Sequence, residues 1–272
     1  MDSIDLIYTG LLLILTGAVA GTLAGLLGVG GGIVIVPVLF NLFGLLDLPA
    51  STAMHMAVGT SLATIVPTSL SSLRAHHKKG AVDIPLLKKW GLGIFAGSVL
   101  GAFIAGQVKG DVLTAVFAVV ALLVSLNMVR SEALTLSPAL PAGTWLNTLI
   151  SMIIGSFSAI MGIGGGTLSV PVLSSFSFPI HKAVGTASAL GLLIAIPGVT
   201  GFILIGAGVA ERPPLSLGYV SLVGFCLIFP TTVLFAPLGA RIAHRLNRLW
   251  LRRTFALFLG LTSLRMFYNL LY

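Results

Sequence analysis

Eight stretches of about 18 or more mostly apolar residues occupy positions 6–27, 50–73, 90–108, 112–129, 145–161, 183–207, 217–238 and 255–271. Runs of that length read as membrane-spanning helices. Only 8% of the residues are charged and the mean hydropathy is +1.10, far above what a soluble domain can solvate. Two shorter apolar runs, 37–46 and 171–178, are too brief to span as helices. Each directly follows a cluster of glycines, "GVGGGIVIVP" at 28–37 and "GIGGGTLSVP" at 162–171. The expected fold is an all-α integral membrane protein of eight long transmembrane helices and two short re-entrant or half-helices.

The glycine clusters belong to a longer internal repeat. "HMAVGT" from His55 matches "HKAVGT" from His181, "LGAFIA" from Leu100 matches "LGARIA" from Leu238, and "SLNM" from Ser125 matches "SLRM" from Ser263. The chain therefore divides into two copies, 1–136 and 137–272, together one transport domain, joined by the Pro-containing polar linker "SEALTLSPALPAG" at 131–143.

Charge placement gives their relation. The loop after the third segment carries Arg74, Lys78, Lys79, Lys88 and Lys89, and its counterpart around Glu211 and Arg212 is nearly neutral. The next loop, "GQVKGD", is neutral, while its counterpart holds Arg241, Arg245, Arg248, Arg252 and Arg253. Lys and Arg mark the cytoplasmic side, so the copies are expected upside down relative to each other, both termini outside and the linker inside. The same rule explains the net charge of +8 without nucleic acid. The N-terminal segment carries Asp2 and Asp5 and no basic residue, and reads as a retained helix, not a signal peptide. Trp90, Trp145, Tyr219, Trp250 and Tyr272 fall near predicted helix ends, as interfacial anchors do. The single cysteine, Cys226, allows no internal disulfide.

Three consecutive glycines followed by a β-branched run and a proline are costly inside a bilayer. Irregular backbone survives there only where protein buries it or a water-filled cavity receives it. Proline suits a first helical turn, so half-helices are expected to begin near Pro37 and Pro171. About ten residues cover roughly 15 Å, half a hydrocarbon core, which puts the free ends near the midplane. Those ends carry unpaired N–H groups and partial positive charge, suited to a small anion. The candidate cradle is Gly30, Gly31, Gly32, Ile33, Gly164, Gly165, Gly166 and Thr167. The competing reading is that the glycines only let helices pack closely. If the cradle reading holds, valine at Gly31 or Gly165 blocks transport without unfolding the chain.

"GxGGGxxxxP" in both halves, "AVGT" opening the helix that follows, and a length of 272 residues resemble the sulfite exporter TauE/SafE family of anion permeases, over essentially the whole chain. The resemblance implies transport of sulfite, organosulfonates or related sulfur compounds across the bacterial inner membrane.

Further candidates each have a plainer alternative. His55 and His181 stand at matching places before "AVGT" and could bind the anion or carry a proton, or simply cap a loop at the interface. Thr60 and Thr186 could face the ligand or bond back to their own helices, while Gly59 and Gly185 serve packing. Arg265, inside the last span, could attract an anion or snorkel to the surface, and Lys182 could do so at the cytoplasmic entrance or obey the positive-inside rule. Every Asp and Glu falls in a predicted loop or segment end, so no carboxylate relay crosses the membrane.

The leading expectation is a secondary exporter with one midplane site between two rocking copies. An inside-negative potential favours anion efflux by about 2.3 kcal/mol per charge per 100 mV. An anion channel of the same architecture is the alternative. An intramembrane enzyme would need a His-Glu-x-x-His motif, a Gly-x-Ser-x-Gly elbow or a close carboxylate pair, and the chain has none of them. No metal or other cofactor is expected. The expected partners are a small anionic substrate and the lipid bilayer, with the oligomeric state, a homodimer included, left open.

Overall fold

The computed structural model describes residues 3–28, 30–129, 137–141, 143–242 and 248–271. Asp2, Val29, Glu132, Arg245, Tyr272 and most of the linker lie outside the described residues, as do the side chains of Asp5, Arg248, Trp250, Arg252 and Arg253. Among the described residues ten helices follow in order: α1 (Ser3–Leu27), α2 (Gly32–Leu45), α3 (Ala50–His77), α4 (Ile84–Gln107), α5 (Gly110–Val129), α6 (Thr144–Met161), α7 (Gly166–Ser175), α8 (Ile180–Ile205), α9 (Leu222–Ile242) and α10 (Arg248–Leu271). A two-residue hairpin ladder, β1 (Ser216–Leu217) with β2 (Val220–Ser221), precedes α9. Seven of the helices are long and apolar enough to cross a membrane among the described residues. In α10 the described apolar part, Ala256–Leu271, is shorter. The chain is thus an all-α, multi-pass membrane protein.

Between membrane helices no hydrophobic effect drives association, so small residues that let backbones approach do much of the work. Gly17, Gly21 and Gly25 form a stripe on α1 against Ile228, Thr232 and Ala236 of α9. On α4, Gly93, Gly97 and Gly101 lie against Thr148, Met152 and Ser156 of α6. Partner numbers rise together in both cases, so each pair is parallel. The central pair is antiparallel: Gly59 of α3 lies by Phe202 of α8, and the hydroxyls of Ser72 and Ser188 bond at 3.0 Å nearer the other end. Antiparallel too are α5 and α10, where Ser125 Oγ donates to Ala256 O at 2.6 Å and Ser263 Oγ to Ala118 O at 2.7 Å. Ser98 Oγ donates to Ile194 O and Gly106 abuts Ile205, which makes α4 parallel to α8. Gly224 of α9 lies by Thr60, and Thr68 Oγ1 donates to Thr232 Oγ1 at 2.6 Å, so α3 is parallel to α9; α1, α3 and α9 therefore run one way, and α4, α6 and α8 the other.

Local chemistry sets several boundaries. Asp83 caps α4, its Oδ1 accepting the Leu86 N–H at 3.0 Å, so that helix starts six residues before the predicted apolar run at Trp90. Trp90 itself is fully buried, and its indole N–H donates to Asn147 Oδ1 at 3.1 Å. It is therefore a core residue joining α4 to α6, not the interfacial anchor expected from its position. Trp145, at 75% exposure, is placed as an anchor would be. Pro49 and Pro179 are the N-caps of α3 and α8.

Candidate functional site

The two short helices begin earlier than the prolines suggest. Gly31 O accepts the N–H groups of Val34 and Ile35, and Gly165 O that of Ser169, closing a first turn at Gly32 and Gly166. Pro37 and Pro171 consequently lie inside their helices, as the sixth residue of each, and do not start them. A proline there removes the helical donor to the carbonyl four residues back. The carbonyls of Ile33 and Thr167 are the ones affected.

The two breaks meet each other. A Cβ on Gly30 would come within 2.9 Å of Gly164 Cα, and one on Gly32 would overlap Gly162 O and Ser61 Oγ. Ser61, from the middle of α3, donates to Gly162 O at 2.7 Å and ties that helix to the second break. Gly28, Gly30, Gly31 and Gly162 hold φ of +68°, +71°, +79° and +67°, a region that L side chains seldom enter. Gly165 differs from its counterpart Gly31, with φ −55°. Ile33, Gly164, Gly165, Gly166 and Thr167 are buried with the rest of the cluster. Close packing, one of the two roles foreseen for these glycines, is what their contacts show, and it brings the N-terminal ends of α2 and α7 near each other.

Three buried hydroxyls surround the second break: Ser158 in the last turn of α6, and Thr167 and Ser169 in the first turns of α7. None of them has a hydrogen-bond partner among the described residues. A buried unpaired hydroxyl costs about 1–3 kcal/mol, so three at one junction call for a partner. The sequence reading singled out only Thr167. The other two were visible in the repeat, because Ala24 and Ile35 stand where the second copy has Ser158 and Ser169, and Ile33 where it has Thr167.

The "AVGT" threonines each accept a backbone N–H from a distant loop. Thr60 Oγ1 accepts the N–H of Ser221, in β2 just before α9, at 2.9 Å. Thr186 Oγ1 accepts the N–H of Asp83, at the start of α4, at 2.8 Å. Gly59 and Gly185, one residue earlier, let the same loops in, since a Cβ on either would strike Tyr219 O or Ala81 O. Asp83 also pairs with Lys182 at 3.4 Å. That pair is half in solvent, which makes it a weak surface contact.

His55 is buried, with Nδ1 2.7 Å from Ser51 O and Nε2 3.0 Å from Ala105 O. Carbonyls only accept, so a neutral ring donates to one of them and a doubly protonated ring to both. Its face stacks on Tyr219, centroids 4.9 Å apart. Burial raises the Tyr219 phenol pKa, with Arg212 opposing, so that ring stays neutral near physiological pH. His55 thus joins α3, α4 and the hairpin, with both nitrogens turned to backbone. His181 is exposed at the start of α8 and Arg265 is exposed on α10, which packs mainly on α5. The structure brings the glycines of both breaks together, and places the two histidines and Arg265 outside that junction.

Among the described residues no group of three or more His, Cys, Asp or Glu could hold a metal. No solved structure matches the chain. A Haemophilus influenzae protein described as a probable membrane transporter protein is 35% identical over 260 residues, 94% of this chain and 97% of that one. The probable membrane transporter protein YunE of Bacillus subtilis is 30% identical over 72% of this chain and 78% of its own length. The probable membrane transporter protein MJ0441 of Methanocaldococcus jannaschii is 26% identical over 94% of both. The sulfite exporter TauE/SafE family profile matches residues 13–266, nearly the whole chain, with the doubled glycine motif inside it. These relatives are described as transporters and not as enzymes, and the chain belongs to the sulfite exporter TauE/SafE family.

Proposed function

We propose that the protein is a secondary transporter that exports small sulfur-containing anions, such as sulfite or organosulfonates, from a site at the junction of its two glycine breaks. The observation that carries this reading is the meeting of the α2 and α7 N-termini beside three buried hydroxyls that have no partner among the described residues. The first N–H groups of a helix have no intrahelical partner and favour negative charge. Ser158, Thr167 and Ser169 add donors that can turn toward an oxyanion. These donors are neutral, as befits a ligand that must leave as readily as it enters.

Alternating access follows from two inverted copies, 1–136 and 137–272. The packing supports this division. Exchanging α1 with α6, α3 with α8, α4 with α9 and α5 with α10 turns Gly21–Thr232 into Gly155–Ile94, and Gly239–Thr22 into Gly101–Ser156. It turns the Ser125–Ala256 bond into Ser263–Ala118, and every helix so exchanged runs opposite to its counterpart. The C-terminal ends of α3 and α9, each followed in the sequence by basic residues, share one end of the molecule, where Lys79 Nζ donates to Ala240 O at 3.2 Å. By the positive-inside rule that end is cytoplasmic in the inner membrane, with both termini outside.

Uptake of sulfite, sulfate, thiosulfate and a small organosulfonate into proteoliposomes, with and without an imposed potential, tests this reading. Saturable, voltage-sensitive flux of one or two of them is expected. No flux of any in tight vesicles holding folded protein overturns it.

A further inference from the structure

A cleft of about 550 Å³ opens between α3 and α9 at the end of the molecule where both helices have their basic C-terminal residues. Its rim holds Arg74, Lys78, Lys79 and Arg241 and, among the described residues, no carboxylate. Below the rim the walls are apolar, built from Pro67 and Leu70 of α3 and Phe229 and Val233 of α9. Arg74 and Pro67 are separated by seven residues, so the charged and apolar levels lie about 10 Å apart along the helix. Leu70 is 38% exposed, which leaves the apolar part open on the side of the molecule. Pro237 deprives Val233 O of its helical donor, and Ser71 Oγ of α3 donates to that oxygen at 2.9 Å, fixing the two walls to each other.

We infer that this cleft binds an anionic phospholipid, its phosphate at the basic rim and the first methylenes of an acyl chain along Pro67, Leu70, Phe229 and Val233. Charge complementarity and size carry the assignment. Arginines can grip phosphate oxygens in a bidentate manner, and lysines add point charge. The C-termini of α3 and α9 point about half a negative charge each at the same place, which four side-chain cations outweigh. The volume falls in the range of sites for ligands of drug size and has an apolar floor, features that a bare inorganic oxyanion would not use. Basic pockets between transmembrane helices at the cytoplasmic surface have the chemistry of anionic headgroup sites. The inference is independent of which anion is transported.

Native mass spectrometry of the purified full-length protein, titrated with phosphatidylglycerol or phosphatidylcholine, tests it. The expected result is one or two retained phosphatidylglycerol molecules, bound at least tenfold more tightly than phosphatidylcholine. The Arg74→Ala/Arg241→Ala variant should lose that preference. Leu70→Trp, which keeps every charge and fills the floor, should lose the lipid as well. Unchanged preference in both variants, each monodisperse and helical by circular dichroism, overturns the assignment. So does displacement of the lipid by millimolar inorganic phosphate or sulfite, which would make the rim a vestibule for free anions.

Discussion

Thr60 Oγ1 accepts the backbone N–H of Ser221 at 2.9 Å, across 161 residues of sequence. The matching threonine, Thr186, does the same for Asp83. Each "AVGT" motif therefore fastens its own half of the molecule to the loop that starts a helix of the other half. Glycine supplies the space and threonine the acceptor.

Thr60→Val and Thr186→Val are nearly isosteric and remove only that acceptor. Each is expected to lower stability by about 1–3 kcal/mol, because a buried N–H loses its partner. Thr→Ser at either position should restore most of it. Denaturant or thermal unfolding of the purified protein checks this. Weakened transport with stability intact would instead put the threonines in the substrate site.

Removing an orphan hydroxyl has the opposite signature. Ser158→Ala, Thr167→Val and Ser169→Ala should leave stability unchanged or slightly raised, since no bond within the protein is lost. If the hydroxyls serve the anion, the apparent KM should rise about tenfold, equivalent to roughly 1.4 kcal/mol. Wild-type transport kinetics in all three variants would remove them from the site.

The glycines of the breaks are more constrained than the cradle reading alone requires. At Gly31 a Cβ would sit 2.8 Å from Ala20 O on a backbone of φ +79°, whereas at Gly165 only the steric contact, 2.9 Å from Ala187 O, is at stake. Gly31→Ala should therefore destabilise by about 1–2 kcal/mol more than Gly165→Ala, the cost of left-handed backbone for an L residue. A valine at either position is expected to impair folding together with transport. Comparing melting temperatures of the two alanine variants decides the order.

Topology is open to labelling. Cys226 is exposed and is first replaced by serine. Single cysteines at Lys78 and Arg241 should then react with a membrane-impermeant maleimide from the same side, because both border one cleft. Reaction from opposite sides would refute the inverted arrangement of the halves.

Much of the fold was legible in the sequence because bilayer thickness and hydropathy act locally. The eight predicted spans fall on α1, α3, α4, α5, α6, α8, α9 and α10, and the two short runs on α2 and α7. The sequence also paired the two glycine breaks, and the fold brings them into contact. Its errors came where a hydrogen-bonding partner decides. Proline propensity put the half-helix starts at Pro37 and Pro171, but Gly31 O and Gly165 O close the first turn earlier. Trp90 reads as an anchor from its place near a charged loop, and Asn147, 57 residues away, draws it into the core.

Sequence alone determined that the chain lives in a membrane, where its apolar runs and their breaks fall and to which family it is similar, because those follow from the apolar length of each run and from short motifs. Only the tertiary structure decided which polar atoms are already satisfied. In a bilayer the faces that meet lipid and those that meet protein are equally apolar, so hydropathy does not distinguish them. That Thr60 and Thr186 accept the backbone N–H groups of Ser221 and Asp83 is visible only in the fold, and Ser158 and Ser169 pass for ordinary helix residues until packing buries them without a partner among the described residues.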